Sequence, residues 1–301
     1  MLSLKIDIDT HDGMRTGVPC LLDCLKRHGV PGTFFLSMGP DRSGRAILQM
    51  RKPRFAQKML TTGAPSLYGW RTILSGTLLP ARPIATAFPE IVRRLEAEGH
   101  EAAIHAWDHR SWQDDLPRFK TARIRAHYDR SLAAYRALTG HDPAGIGAPS
   151  WMTTPESLRI QDGYPFQYAS DLRGGVPCRL AVHGRELRIP QLPGTGPCLE
   201  ELLAGGVHGE QALADALLAG LRQPTALTVL TLHAEVEGGP YLPVLERLLP
   251  RLAEFGGIVT MAEAARRLAG TLPLRAWCRT ALPGRAFPVT TSRLPDAVQH
   301  A

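Results

Sequence analysis

The stretch Leu4-Lys5-Ile6-Asp7-Ile8-Asp9-Thr10 alternates apolar and charged side chains from the start of the chain. Successive side chains of a strand point to opposite faces, so a period of two predicts a strand with Asp7 and Asp9 on one side. Unpaired acids are costly to bury in a core, and two of them together suit the gripping of a metal and the handling of a proton. The period then changes. Residues 18–28 have apolar positions at Leu21, Leu22 and Leu25, Pro19 near the start and Gly29 after the end, the punctuation of a helix. A strand follows at 33–37 and is closed by Gly39-Pro40. Beyond a long interruption the pattern predicts a helix at 89–98, a strand at 101–105 and a helix at 120–138. Further strands are expected at 144–148, 166–170, 187–190 and 227–233, helices at 210–221 and 242–255, and a last strand–helix pair at 257–268. Repeated strand–helix units imply an α/β fold with a parallel sheet, and seven or eight of them a closed or nearly closed β/α barrel.

The domain read this way covers residues 1–270, with the interruption at 42–89 as a helical insertion after the second strand. Residues 271–301, rich in Pro and Arg and weakly periodic, are expected to wrap the surface or to be partly disordered.

Composition narrows the class. The 301 residues are 44% hydrophobic and 21% charged with a mean hydropathy of -0.11, the profile of a soluble globular protein. No apolar run approaches the roughly 18 residues of a membrane span. Lys5, Asp7 and Asp9 occupy the place of a signal peptide's apolar region, so a cytoplasmic location is expected. The five cysteines form no C-x-x-C pair, which fits buried thiols in a reducing compartment.

The net charge of +7 is unevenly placed: residues 42–89 contain no Asp or Glu and eight cations. Among these cations, which include Arg45, lie Phe55, Leu67, Tyr68, Trp70, Ile73 and Leu74. A solvated basic face is the plain reading. The apolar interleaving fits better with a surface that meets anionic lipid or a lipid-linked phosphate. No nucleic-acid motif accompanies the charge, so no nucleic-acid partner is expected.

The candidate chemistry gathers where strands end. His105-Ala106-Trp107-Asp108-His109 follows the strand at 101–105, the end at which barrel enzymes keep their working groups. A spacing of four brings both imidazoles to one side if the segment turns helical, and two His with a carboxylate make an open metal site. A two-His-one-carboxylate iron oxygenase would share this ligand set, but this strand–helix alternation is the wrong fold for it. The strand at 227–233 ends in His233, followed by Glu235 and Glu237. On the same rim, His233 could donate a proton to a leaving amine. Tyr168-Ala169-Ser170-Asp171 is a further strand ending in an acid; Asp171 could hold the His233 imidazole or cap the next turn. In Gly147-Ala148-Pro149-Ser150-Trp151, Trp151 offers either a flat wall for a sugar ring or a packed core residue.

These elements, in this order, resemble the polysaccharide deacetylase superfamily (carbohydrate esterase family four), whose members hydrolyse N-acyl groups on sugars with a metal held by one Asp and two His on a distorted β/α barrel. Ile6-Asp7-Ile8-Asp9-Thr10, Ser66-Leu67-Tyr68-Gly69-Trp70, His105-Ala106-Trp107-Asp108-His109 and His233-Ala234-Glu235-Val236-Glu237-Gly238 carry the likeness, with Ser37-Met38-Gly39-Pro40-Asp41 and Gly44-Arg45. It is strongest toward the branch that deformylates a 4-amino sugar linked to undecaprenyl phosphate. The resemblance implies Asp7 as general base, His233 as general acid, and Asp9, His105 and His109 as ligands of a divalent ion, with zinc, cobalt, manganese and iron all admissible. Asp171 is assigned to the catalytic group, and Trp151, Tyr68, Trp70 and Arg45 to the substrate. The insertion would hold the lipid phosphate at the inner face of a bacterial inner membrane. Deacetylation of another N-acylated amino sugar is the alternative. Two positions depart from the superfamily. Ile8 separates acids that are usually adjacent, as the deformylase branch also has it. Gly147 stands where an Arg usually steadies the base, so the sequence leaves the orientation of Asp7 unexplained.

Overall fold

In the computed structural model, which describes residues 1–45, 72, 74–222, 225–282, 285 and 287–295, β1 (Leu2–Ile8) runs fully buried through the middle of the molecule. The chain continues as α1 (Val18–His28), β2 (Thr33–Ser37), α2 (Pro89–Ala97), β3 (Glu101–Ala106), α3 (His109–Asp115) and α4 (Thr121–Thr139). Next come β4 (Gly145–Ile146), α5 (Pro155–Gln161), β5 (Tyr168–Ala169), β6 (Arg179–Val182), β7 (Arg185–Glu186), α6 (Leu199–Ala204) and α7 (Glu210–Leu221). The last elements are β8 (Thr228–His233), α8 (Leu242–Leu248), α9 (Met261–Leu268), β9 (Leu274–Thr280) and β10 (Val289–Arg293).

Six strands form one parallel sheet in the order β5-β4-β3-β2-β1-β8. Its two faces are sorted by the period of two. Leu2, Leu4, Ile6 and Ile8 of β1 join Phe34, Leu36 and Ile104 in the main core beneath the helices, which includes Leu21 and Leu25 of α1 and Leu245 of α8. Phe35, Ala103, Tyr168 and Val229 pack in a second cluster with Met261 and Ala264 of α9. Ser3, Lys5 and Asp7 alternate with the Leu and Ile side chains of β1.

The expected seven- or eight-stranded barrel is a six-stranded half-barrel among the described residues. The outermost candidates make single bridges instead of strands. Gln191 bridges Ala169, and Ile258 bridges Leu2. Pro190, Pro193 and Pro197 break the segment that would have supplied the closing strand, since proline has no N–H for the ladder. That segment still spans the opening: Leu192 donates to the Ala169 carbonyl at one edge, and Thr195 donates to Val229 at the other. The helix expected over 242–255 divides into α8 and a 3-10 stretch, Leu249–Phe255, at Pro250.

A second sheet, β10-β9-β6-β7, flanks the half-barrel. It takes in the part of the tail read from sequence as surface-wrapping or partly disordered: β9 pairs parallel with β6, and β10 pairs antiparallel with β9. Thr290 of β10 ties this sheet to the half-barrel, accepting from the Thr153 N–H at 3.1 Å.

Most of the helical insertion expected at 42–89 lies outside the described residues. Its two ends are pinned together at the half-barrel: Asp41 N–H donates to the Arg82 carbonyl, Ile84 N–H to Gly39, and Gly44 N–H to Ser75. The buried Asp41 carboxylate accepts from the His11 and Ser43 N–H groups, fixing the insertion's entry beside the loop after β1.

Candidate active site

The C-terminal ends of β1, β3 and β8 meet at one rim. Asp9 lies one residue past β1, His105 near the end of β3, His109 at the first position of α3 and His233 at the end of β8. His105 Nε2 is 3.3 Å from Asp9 Oδ1, and His109 Nε2 is 3.3 Å from Asp9 Oδ2. The three side chains stand close enough together that one divalent ion could be held by all of them. Among the described residues, Asp9, His105 and His109 form the group that could hold a metal ion, with one donor atom from each lying within 4.8 Å of the others. The two imidazoles converge by a route other than the expected helical spacing. A strand end and a helix start present them, and Asp108, the N-cap of α3, makes the turn by accepting from Ser111 N–H at 2.9 Å.

The environment prepares each donor. His105 Nδ1 lies 2.8 Å from the Gly147 carbonyl; as donor it leaves Nε2 as a lone pair toward Asp9. Burial pushes His109 down to about 4, so its imidazole is neutral at pH 7 and able to bind a metal. Burial opposes ionisation of Asp9, but His109 and His105 outweigh it and hold the carboxyl well below the usual range. Asp9 Oδ1 is buried without a hydrogen-bond partner, a cost that a bound cation would remove.

Glu235 anchors the loop that carries Asp9. Its Oε1 accepts from the Asp9 N–H at 2.9 Å, the Thr10 N–H at 2.6 Å and the Thr10 hydroxyl at 2.8 Å. Burial, with Asp9 adding to it, drives the Glu235 carboxyl up to about 8, and a proton on its other oxygen leaves these three bonds intact. Gly13 permits this approach, because a Cβ there would strike the Glu235 side chain.

Asp7 and His233 are register partners on neighbouring strands. Both oxygens of Asp7 accept from the ammonium of Lys5, two residues earlier on the same face of β1. Asp7 Oδ2 stands 4.0 Å from His105 Nε2, farther than Asp9 does. His233 Nδ1 is 3.0 Å from Glu200 Oε1. Burial alone would lower the His233 pKa; Glu200 overrides it and raises it well above the ordinary histidine value, favouring the protonated imidazole. Glu237 Oε2 accepts from the His233 N–H at 2.7 Å and fixes the strand end.

Two expected contacts, those of Asp171 and Trp151, turn out differently. Asp171 does not reach His233: its Oδ1 accepts from the Ala148 N–H at 2.8 Å and its Oδ2 from the Gln191 amide at 3.1 Å, so it braces the 147–151 loop. Glu200, on the first turn of α6, takes the place expected of it. Trp151 is 2% exposed and packs with Cys198 and Val289, which leaves no open ring face for a sugar. Arg45 is half-buried in a 3-10 turn, 3.7 Å from Asp115. Tyr68 and Trp70 lie outside the described residues. Lys5, Glu200 and Glu235 were missed as site residues from sequence. Only Lys5 had a readable signal, its position on the face of Asp7.

The half-barrel and this rim define the class. Residues 8–169 match the polysaccharide deacetylase family, and the chain belongs to it. A curated relative from Shewanella sediminis, named a "probable 4-deoxy-4-formamido-L-arabinose-phosphoundecaprenol deformylase", is 34% identical over 84% of this chain and 81% of its own length. Among solved structures, a "probable polysaccharide deacetylase" from Pseudomonas aeruginosa superposes with a TM-score of 0.59 at 17% identity, covering 89% of this chain and 90% of that one. A family 4 acetyl xylan esterase from Clostridium thermocellum, solved with a cobalt ion, gives a TM-score of 0.52 at 18% identity, over 89% of this chain and 91% of that one.

If His233 works as an acid, Glu200 sets its range. Glu200→Gln removes the charge that raises the His233 pKa, so the alkaline limb of the kcat/KM profile moves to lower pH while the acidic limb stays. A pH profile of the variant checks this; an unmoved alkaline limb would separate His233 from the acid role.

Proposed function

We propose that this protein hydrolyses the formamide of 4-deoxy-4-formamido-L-arabinose linked to undecaprenyl phosphate, releasing formate and the free amino-sugar lipid. The lipid's use in modifying lipid A, and so in polymyxin resistance, follows from the same reading. The supporting observation is the convergence of Asp7, Asp9, His105, His109 and His233 at one rim, in a chain 34% identical to a relative of that name. Asp9, His105 and His109 would hold a divalent metal, which when bound would supply Lewis-acid polarisation of the formyl oxygen and a lowered pKa for water. Asp7, held by Lys5 beside this centre, accepts the proton of the attacking water. His233, kept protonated by Glu200, gives its proton to the sugar nitrogen as the C–N bond breaks. Water thus contributes OH to the formyl carbon, and the amine leaves neutral.

The lipid arm of the reading draws on the eight cations of residues 42–89 and on the tip where they return to the half-barrel. There Leu78 is 81% exposed and Leu79 37% exposed. Among the described residues no helix is long and apolar enough to cross a membrane, so contact with anionic lipid would be peripheral. Formate release is expected at a kcat/KM at least ~10-fold higher for the lipid-linked sugar than for the free formamido sugar, and binding to anionic vesicles should weaken with salt. Equal rates on both substrates, with no vesicle binding at low salt, would remove the lipid arm. Formate from neither would remove the reading.

A further inference from the structure

Lys5 is wholly buried in the middle of β1, an environment that disfavours an ammonium unless it is paired. Its ion pair is with the Asp7 carboxylate, both of whose oxygens it engages. Two aromatic faces lie close to it, with the Phe35 ring centre 4.6 Å and the Trp151 ring centre 5.6 Å from Nζ, and its charge also reaches the buried Asp171 carboxylate. Phe35 and Trp151 therefore enclose the ammonium and screen the pair from water. Trp151 adopts a φ of +50°. A core that needed only volume here would be served as well by Met.

The geometry also poses a problem that Lys5 answers. Two carboxylates, Asp7 and Asp9, stand within reach of the same imidazole. Nothing in their chemistry assigns one to the metal and the other to the proton. Asp9 has an unpartnered oxygen aimed among the two histidines, whereas both oxygens of Asp7 are occupied. Position 147 has no room for a side chain that could do this, because even a Cβ on Gly147 would come within 2.9 Å of the Phe35 ring.

We infer that Lys5 is a positioning residue that divides the work between the two acids, holding Asp7 off the metal centre and leaving it free to take a proton. The inference rests on the metal-hydrolase reading above, and it is tested without relying on it. Cobalt(II) binding and the cobalt absorption spectrum are measured for the wild type, Lys5→Met and Lys5→Arg, together with kcat and KM for the formamido-sugar lipid. Lys5→Met is expected to bind cobalt with an altered spectrum as Asp7 enters the coordination shell, and to lose ~100-fold in kcat with KM within about twofold. Lys5→Arg keeps the cation, so it retains the wild-type spectrum and most of kcat. Should Lys5→Met fail to fold, Lys5→Gln carries the same expectation, with a hydrogen bond to Asp7 but no charge. A neutral variant with the wild-type spectrum and kcat would overturn the inference. A wild type that binds cobalt but releases no formate would instead sink the functional reading, and the spectra alone would then decide the role of Lys5.

Discussion

Asp7→Asn lowers the rate of formate release by about 1,000-fold while a metal ion still binds, one per chain. The amide keeps the shape of Asp7 and can still hydrogen-bond within the half-barrel, but it cannot accept a proton from water. Because Asp9, His105 and His109 form a group that could hold a metal ion without Asp7, the variant is expected to match the wild type in metal content. The substitution leaves Lys5 buried without its counter-charge, so some loss of thermal stability accompanies it. Steady-state kinetics with metal analysis on the same preparation check this. Loss of metal together with loss of rate would move Asp7 from the proton to the ligand set, and an unchanged rate would remove it from the mechanism.

The second large effect is expected at the ligands. Asp9→Ala or His105→Ala removes one of the three proposed donors and is expected to lower metal affinity by at least ~100-fold, with activity falling in proportion to occupancy. The two variants differ in stability. Removing Asp9 takes away the charge that sits between two imidazoles, whereas removing His105 leaves the Asp9 carboxylate with one neighbour and frees the Gly147 carbonyl of its 2.8 Å contact. Both should nevertheless unfold at nearly the wild-type temperature without metal, since the core of the half-barrel is built from Leu2, Leu4, Ile6, Phe34 and their neighbours. Isothermal titration with zinc or cobalt, paired with thermal unfolding with and without metal, measures both quantities. Unchanged metal affinity in either variant would contradict the assignment of the centre.

The legible part of the molecule follows from local patterns. The period of two in β1 announces both its burial and the shared face of the acids, and the ends of α1 and α4 are set by Gly29 and Gly140 in the left-handed region. His105 and His109 are readable from their place at and just past the C-terminal end of a strand. Interactions without a sequence interval were not readable. Glu200 reaches His233 from α6, which the alternation of strands and helices does not mark at all. Glu235 is 226 residues from Asp9 in sequence but accepts from its N–H in space, because the loop after β8 folds back over the loop after β1. The strand count was overestimated for a related reason: the apolar stretches near Ile189 and Ile258 look like strands, and whether they pair along their length is settled by prolines and by the space left at the sheet's edges. The Asp171 assignment failed because an acid at a strand end can brace a loop as well as an imidazole, and the Ala148 N–H was the nearer partner.

The proposed activity is metal-dependent deformylation with Asp7 as the base. The most direct measurement supplies metal-loaded protein with the formamido- and the acetamido-sugar on the same undecaprenyl phosphate carrier and follows formate and acetate together. Formate from the first, abolished by chelation and restored by a divalent ion, with little or no acetate from the second, is the predicted result. Acetate release alone, or formate release that persists after the metal is stripped, would contradict it.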